Sequence, residues 1–328
     1  MSQLRLNPLT GRWVTIVAER AERPSDFRPR AEVVEADPSR PCPFCPGHEE
    51  STLPPALETV DDGGKWRIRV IPNLYPAFDG DEPFAVNHLG PVHVEAEASG
   101  IHEVLVISPY HDLRGHPISD EDAAELMHVI KQRLEEHAST PNVRYTQAII
   151  NHGREAGASI AHPHGQLLGL PFVPGEILDE QRAFSRFDGG CILCATVETE
   201  LVDGKRVLFA NDDVVCVCPY WSGSPYELLI IPRRHELHLT DADDESLASF
   251  GIAIRDSLDM LHELHGDVAY NMVFHTAPHH YHGAYHWHLH LFPKLVTTAG
   301  FERGTGVMIN IIPPELAAEQ LRHVTIRA

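Results

Sequence analysis

The sequence predicts an α+β protein in which one structural unit is used twice, and three observations lead there. Two C-x-x-C pairs, Cys42–Cys45 and Cys191–Cys194, open the two halves of the chain. The step from His111 to His235 and the step from His162 to His286 are both 124 residues. An amphipathic helix pattern falls between each pair of histidines, and its apolar positions repeat at the same offset. Duplication is the simplest source of such a shared period.

Taken in order, each unit reads as a C-x-x-C pair, strands, a strand ending near a histidine, a helix, and a last strand carrying a His-x-His pair. His111 follows the apolar run Val104–Ile107, and His235 follows Leu228–Ile231. Ser119 caps the first helix, whose Ala123, Leu126, Met127, Ile130 and Leu134 share one face. Asp243 caps the second, with Leu247, Phe250, Ile254 and Leu258 on its face. From the C-x-x-C pair to the histidine is 66 residues in the first unit (Cys45 to His111) and 41 in the second (Cys194 to His235). The longer first unit has room for the turn Asp61-Asp62-Gly63-Gly64. We therefore expect units at 1–175 and 176–328, joined through Pro174–Gly190, each an antiparallel-rich sheet with packed helices.

The chain has 328 residues, 43% of them apolar, which is enough for a large core. Its 26 Lys and Arg against 47 Asp and Glu give a net charge of −21, which excludes a basic face for nucleic acid polymers. An anionic substrate must meet a local positive site. The N-terminus shows no apolar signal region, and no stretch reaches the roughly 18 apolar residues of a membrane helix, so a cytoplasmic protein without membrane partners is expected. Four of six cysteines lie in C-x-x-C pairs in a chain with 23 histidines, which favours metal over disulfides. Cys216 and Cys218 read as core thiols, and His279, His280 and His282 as loop residues.

His162-Pro163-His164-Gly165-Gln166 follows a polar loop, Asn151 to Ser159, that contains Gly153 and Gly157. Such loops bring backbone N–H groups up to a phosphate. A histidine there can attack phosphorus and split a nucleotidyl transfer into two displacements. One ring nitrogen attacks while the other, protonated and held by an acceptor, stabilises the developing cation. Gln166 can hold a phosphate oxygen without delivering a proton.

On these residues the chain resembles the galactose-1-phosphate uridylyltransferase branch of the histidine-triad superfamily, from Asn7-Pro8-Leu9-Thr10-Gly11-Arg12-Trp13 to Phe292-Pro293. The units are then histidine-triad-like. The resemblance implies His164 as the nucleophile that becomes nucleotidylated and Gln166 as its phosphoryl ligand. It places Arg20, Arg23, Asn73, Asn151 and Ser159 on the nucleotide or its phosphates.

Cys42, Cys45, His111 and His162 have the composition of a closed structural zinc site, which would clamp the strand bearing His164. Cys191, Cys194, His235 and His286 repeat the set, so two zinc ions per chain are expected. The resemblance also implies a rival iron site at Glu180, His275, His288 and His290, which shares no ligand with the zinc sets. A second active centre at His286-Trp287-His288 is disfavoured, because zinc claims His286 and no Gly- and Ser-bearing loop precedes it.

The C-terminal pattern Phe301-Glu302 to Ile309-Asn310 departs from the best-known uridylyltransferases and looks more like the branch that includes ADP-glucose phosphorylase. Met308 cannot bond a sugar hydroxyl as a glutamine does, so either loose discrimination among hexose 1-phosphates or recognition by other polar groups such as Glu302 and Asn310 is expected. The expected reaction is ping-pong uridylyl transfer from UDP-glucose to galactose 1-phosphate or another hexose 1-phosphate. Adenylyl transfer from an ADP-sugar to phosphate is the alternative. A histidine-triad hydrolase would favour a proton donor in place of Gln166, and a non-catalytic nucleotide-binding module has little use for His164 beside it. The partners are thus a nucleotide sugar with a sugar phosphate or phosphate, and analogy suggests a homodimer.

Overall fold

A computed structural model describes residues 2–18, 41–113 and 116–324. The strands in chain order are β1 (Gln3–Leu6), β2 (Trp13–Ile16), β3 (Leu57–Val60), β4 (Trp66–Pro72), β5 (Asn87–Leu89), β6 (His93–Glu95) and β7 (Ile101–Val106). Then come α1 (Asp120–Ala138), β8 (Tyr145–His152), β9 (His164–Leu170), α2 (Gly175–Arg186), α3 (Ile192–Asp203), β10 (Val207–Ala210), β11 (Val214–Val217) and β12 (Leu228–Pro232). The chain closes with α4 (Asp244–His265), β13 (Tyr270–His275), β14 (His288–Pro293), α5 (Gly300–Thr305), β15 (Met308–Asn310) and α6 (Pro314–Arg322).

Among the described residues, both units contribute to one antiparallel sheet, in the order β10-β11-β12-β14-β13-β8-β9-β7-β4-β3. Its centre is the pairing of β13 with β8, in which Asn271 faces Asn151. The halves read outward from that seam as matching series, and β9 and β14 begin 124 residues apart, as do α1 and α4. Both helix caps sit where local chemistry placed them. Ser119 accepts from the N–H of Asp122, and Asp243 accepts from that of Ser246.

α1 and α4 lie side by side on one face of the sheet. Leu126, Met127, Ile130 and Leu134 pack there with Leu105, Ile150 and Leu167, while Phe250 and Ile254 pack with Trp287, Leu289 and Leu291. Gly251 permits the helices to meet, because a Cβ there would stand 2.3 Å from the carbonyl oxygen of Ala123. The opposite face is asymmetric. α2 and α3 cover the second unit with Ile177, Phe184, Leu193 and Val197 against Val215, Val217, Leu229 and Ile231. On the first unit the equivalent face carries a smaller cluster, Phe44, Trp66, Ile71, Val104 and Val106.

Two local expectations are corrected. The His-x-His pairs straddle the strand starts, since β9 and β14 begin at His164 and His288 and leave His162 and His286 in the preceding turns. The second C-x-x-C pair leads into helix α3, whereas the first sits in turns. β1, β2 and β15 form a separate small sheet that ties the N-terminal segment to the C-terminal one. No helix among the described residues is long and apolar enough to cross a membrane.

Candidate active site and metal clusters

His164 is the first residue of β9, on the face away from α1 and α4, and is 8% exposed. Its Nδ1 lies 2.8 Å from the carbonyl oxygen of His162. A carbonyl only accepts, so Nδ1 carries the proton and Nε2 keeps a free lone pair. Among the described residues Nε2 makes no hydrogen bond. Burial lowers the pKa of His164, which favours this neutral form. The ring centroid of Phe44 lies 5.5 Å from that of His164 and 6.0 Å from that of His162, so the residue between the two cysteines buttresses both histidines. Gly165 turns toward the helices, where a Cβ would meet the carbonyl oxygen of Ile149 at 2.6 Å. That contact explains the glycine between His164 and Gln166.

Gln166 follows two residues on, and its Oε1 is 2.8 Å from His102 Nε2. Asn73 lies beside the same histidine, with its Oδ1 accepting from the N–H of Tyr75. Asn151, on β8, has its Oδ1 bonded by Asn271 Nδ2 at 2.6 Å, and that amide also donates to the carbonyl of Ala156 at 2.8 Å. The second unit thus orients a side chain of the first unit's site. Between Asn151 and His164 the loop turns at Gly153 (φ 80°), where a Cβ would lie 2.6 Å from the Cβ of Ala269. Ser159 is exposed on this loop. The structure thereby brings Asn151, His164 and Gln166 onto the adjoining strands β8 and β9 and sets Asn73 directly after β4, beyond β7, while Arg20 and Arg23 lie outside the described residues.

The ligand atoms of Cys42, Cys45, His111 and His162 all lie within 4.8 Å of one another. Sulfur-to-nitrogen distances are 3.4 Å for Cys45 to His111, 3.6 Å for Cys45 to His162 and 3.8 Å for Cys42 to His162. A tetrahedral zinc with bonds of about 2.0–2.3 Å requires edges of roughly this length. His162 turns Nδ1 to the sulfurs because Nε2–H donates to the carbonyl of Ser108 at 2.8 Å. Burial pushes its pKa down to about 4, leaving the imidazole neutral for a metal. The second set repeats this arrangement. Cys191 and Cys194 lie 3.5 Å from His286 Nδ1, Cys194 is 3.6 Å from His235, and His286 Nε2–H donates to the carbonyl of Pro232 at 2.9 Å.

A third cluster is fully buried. Glu180 reaches it from α2, whose inward face is Ile177, Glu180 and Phe184. His275 Nδ1 is 2.8 Å and His288 Nε2 3.6 Å from Glu180 Oε1, and the Tyr285 hydroxyl donates to Oε2. Burial pushes Glu180 up, but His275 and His288 outweigh it and hold the carboxylate well below its usual range. His288 Nε2 and His290 Nδ1 are buried without a hydrogen bond. Orphaned imidazole nitrogens around a carboxylate fit a bound cation, as a set of nitrogen and oxygen ligands would.

The C-terminal candidates behave differently. Asn310 is 0% exposed, and its amide is fully engaged. Nδ2 donates to the carbonyls of Ser222 and Ser224, and Oδ1 accepts from the N–H of Ile312. In this structure Asn310, the expected sugar contact, fastens the Ser222–Ser224 loop to Ile312. Glu302 accepts from the N–H of Ala299 at the start of α5 and remains partly exposed. Met308 packs where a Cβ on Gly223 would meet it at 3.2 Å. Sequence reading missed Phe44, His102 and Asn271. Helical spacing of Ile177, Glu180 and Phe184 was the available signal for α2, but no motif marks His102.

A duplicated α+β fold with a buried histidine whose Nε2 is unbonded, an amide two residues on and two Cys2His2 clusters is the architecture of a nucleotidyltransferase family. Family models for the galactose-1-phosphate uridyl transferase N-terminal and C-terminal domains match residues 1–174 and 177–324. The chain belongs to that family. It is 31% identical to an ADP-glucose phosphorylase of Arabidopsis thaliana, over 99% of this chain and 93% of that one. It is 30% identical to a galactose-1-phosphate uridylyltransferase of Thermotoga maritima, over 99% of each. The Arabidopsis ADP-glucose phosphorylase crystal structure with bound ADP-glucose superposes with a TM-score of 0.83 at 28% identity, covering all of both chains. A uridylyltransferase structure superposes with a TM-score of 0.74 at 27% identity, covering 98% and 97%.

Proposed function

We propose that this enzyme moves a uridylyl group from UDP-glucose to galactose 1-phosphate or a related hexose 1-phosphate by two displacements on His164. The observation that carries the reading is the His164 tautomer: Nδ1–H is spent on the His162 carbonyl, and Nε2 is left as the nucleophile beside Gln166. In the first displacement Nε2 attacks the α-phosphorus. The N–P bond forms, the P–O bond to the sugar phosphate breaks, and hexose 1-phosphate leaves. In the second, a phosphate oxygen of the acceptor attacks that phosphorus and the N–P bond breaks. The Nδ1 proton stays in its hydrogen bond throughout and spreads the ring's developing charge. Gln166, Asn73 and Asn151 supply neutral donors to phosphate and ribose, so no nearby acid promotes hydrolysis.

Cys42, Cys45, His111 and His162 would hold one zinc ion, and Cys191, Cys194, His235 and His286 a second. Bound zinc supplies a rigid tetrahedral clamp, since all four positions of each set are protein ligands. Glu180, His275, His288 and His290 would hold a third metal, of the iron type. The cysteine pairs suit a reducing compartment, which supports a cytoplasmic enzyme. Light scattering on the purified protein tests the homodimer expected by analogy.

A second reading, transfer of an adenylyl group from an ADP-sugar to phosphate, is favoured by one observation. Asn310 is withdrawn into a loop and Met308 stands beside it, which thins the polar groups available to a second sugar. Incubation with UDP-glucose alone should yield a uridylylated protein by intact mass, discharged by galactose 1-phosphate, and none in His164→Asn. Adduct formed from ADP-glucose in preference, and discharged faster by phosphate than by galactose 1-phosphate, replaces the first reading with the second.

A further inference from the structure

We infer that His102 is a positioning residue that fixes which end of the Gln166 amide faces the reacting phosphoryl group. The N–H of Ala77 points at His102 Nδ1 across 2.9 Å. A backbone N–H can only donate, so Nδ1 is the acceptor and the ring's proton sits on Nε2. That Nε2–H lies 2.8 Å from Gln166 Oε1. The amide oxygen of Gln166 is therefore held toward His102, and its NH2 group is turned the other way. Among the described residues that NH2 has no hydrogen bond, and it is left for a phosphate oxygen.

The orientation matters because an amide has two chemically opposite ends. With the NH2 forward it donates to a phosphoryl oxygen; with the carbonyl forward it repels one. An unrestrained glutamine would divide its time between them, and each reversal would remove a donor from the transition state. The same logic reaches Asn73. Its Nδ2 lies 3.2 Å from His102 Nε2, which already carries a hydrogen, so the contact is not a bond. Asn73 Oδ1 is taken by the N–H of Tyr75, and its amide hydrogens remain available. The backbone amide of Ala77 thus sets the direction of Gln166 through His102, and the backbone amide of Tyr75 sets that of Asn73.

This inference rests on His164 being nucleotidylated, and the test separates the two. The rate of single-turnover adduct formation on His164 is measured by quenched intact mass with saturating nucleotide sugar, UDP-glucose and ADP-glucose in parallel, and the donor Kd by titration of His164→Asn proteins. His102→Ala should slow adduct formation roughly two- to fivefold with donor Kd within about twofold, since the competent orientation of Gln166 is then populated only part of the time. His102→Gln, which can accept from Ala77 and donate to Gln166, should recover most of the rate. His102→Glu, which offers Gln166 an acceptor and reverses it, should be slower than His102→Ala. In a Gln166→Ala background, His102→Ala should have no further effect. Wild-type protein that forms no adduct defeats the covalent mechanism itself. Wild-type adduct with an unchanged rate in His102→Ala, or equal effects of His102→Ala with and without Gln166, overturns the role of His102.

Discussion

His164 and His288 hold the same pose 124 residues apart, each donating Nδ1–H to the carbonyl of the histidine two residues before it, at 2.8 and 2.9 Å. They differ in what lies over them. α2 sets Glu180 against His288, which is 0% exposed, while the face over His164 carries no such helix among the described residues. Duplication made two equivalent histidines, and the segment joining the units closed one of them.

One transfer centre per chain follows. Labelling with nucleotide sugar should saturate at one nucleotidyl group per chain, and peptide mapping should find it on His164. Two groups per chain, or a label on His288, would show that burial does not silence the second histidine.

Metal content tests the Cys2His2 clusters. Protein purified without added metal should contain close to two zinc atoms, and changing both cysteines of either pair to serine should remove one. Loss of the first ion should also slow His164, because His162 anchors the carbonyl that holds its tautomer. Loss of the second should lower the thermal midpoint with a much smaller effect on adduct formation. Equal catalytic damage from both would mean that the clamp acts globally.

Phe44 couples packing to chemistry. It is 7% exposed and touches both His162 and His164. Phe44→Ala should cost about 3–5 kcal/mol, as truncation of a buried aromatic does, and slow adduct formation through looser placement of the ring. Phe44→Leu should recover most of both. A variant that loses stability yet reacts at the full rate would reduce Phe44 to a core residue.

Acid should act through Glu103, a buried carboxylate of β7. Burial, the largest effect, raises its pKa, but hydrogen bonds from His137 at 3.1 Å and Arg133 at 2.6 Å outweigh it and hold the value below 4.5. Stability from a lowered carboxylate is present above the unfolded value and lost as pH falls through the folded one. Denaturant titrations should show a decline beginning below about pH 4.5. Glu103→Gln should cost about 3 kcal/mol at neutral pH, with the difference narrowing in acid. A difference independent of pH would assign the stability to packing alone.

Asn310 separates fold from specificity. Replacing it by alanine strips three hydrogen bonds from a buried loop, and about 2–3 kcal/mol of stability should go with them. The ratio of kcat/KM for galactose 1-phosphate to that for phosphate should stay within about twofold. A large change in that ratio would return Asn310 to the acceptor site.

The amino-acid sequence by itself determined the duplication, the two helix caps and the residues of the two Cys2His2 clusters, while the set at Glu180, His275, His288 and His290 was reached only through the family resemblance. Each depends on residue type at a fixed spacing: Ser119 and Asp243 cap through their own next turn, and C-x-x-C pairs announce themselves within four positions. Tertiary structure decided the rest. His102 finds Gln166 only because antiparallel register sets β7 beside β9, and Asn271 finds Asn151 only because the two units share one sheet. Asn310 and His288 lost their apparent freedom to elements distant in the chain, the Ser222–Ser224 loop and α2. A side chain's chemistry is local, but its exposure and the direction of its hydrogen bonds are set by whichever distant strand or helix packs against it.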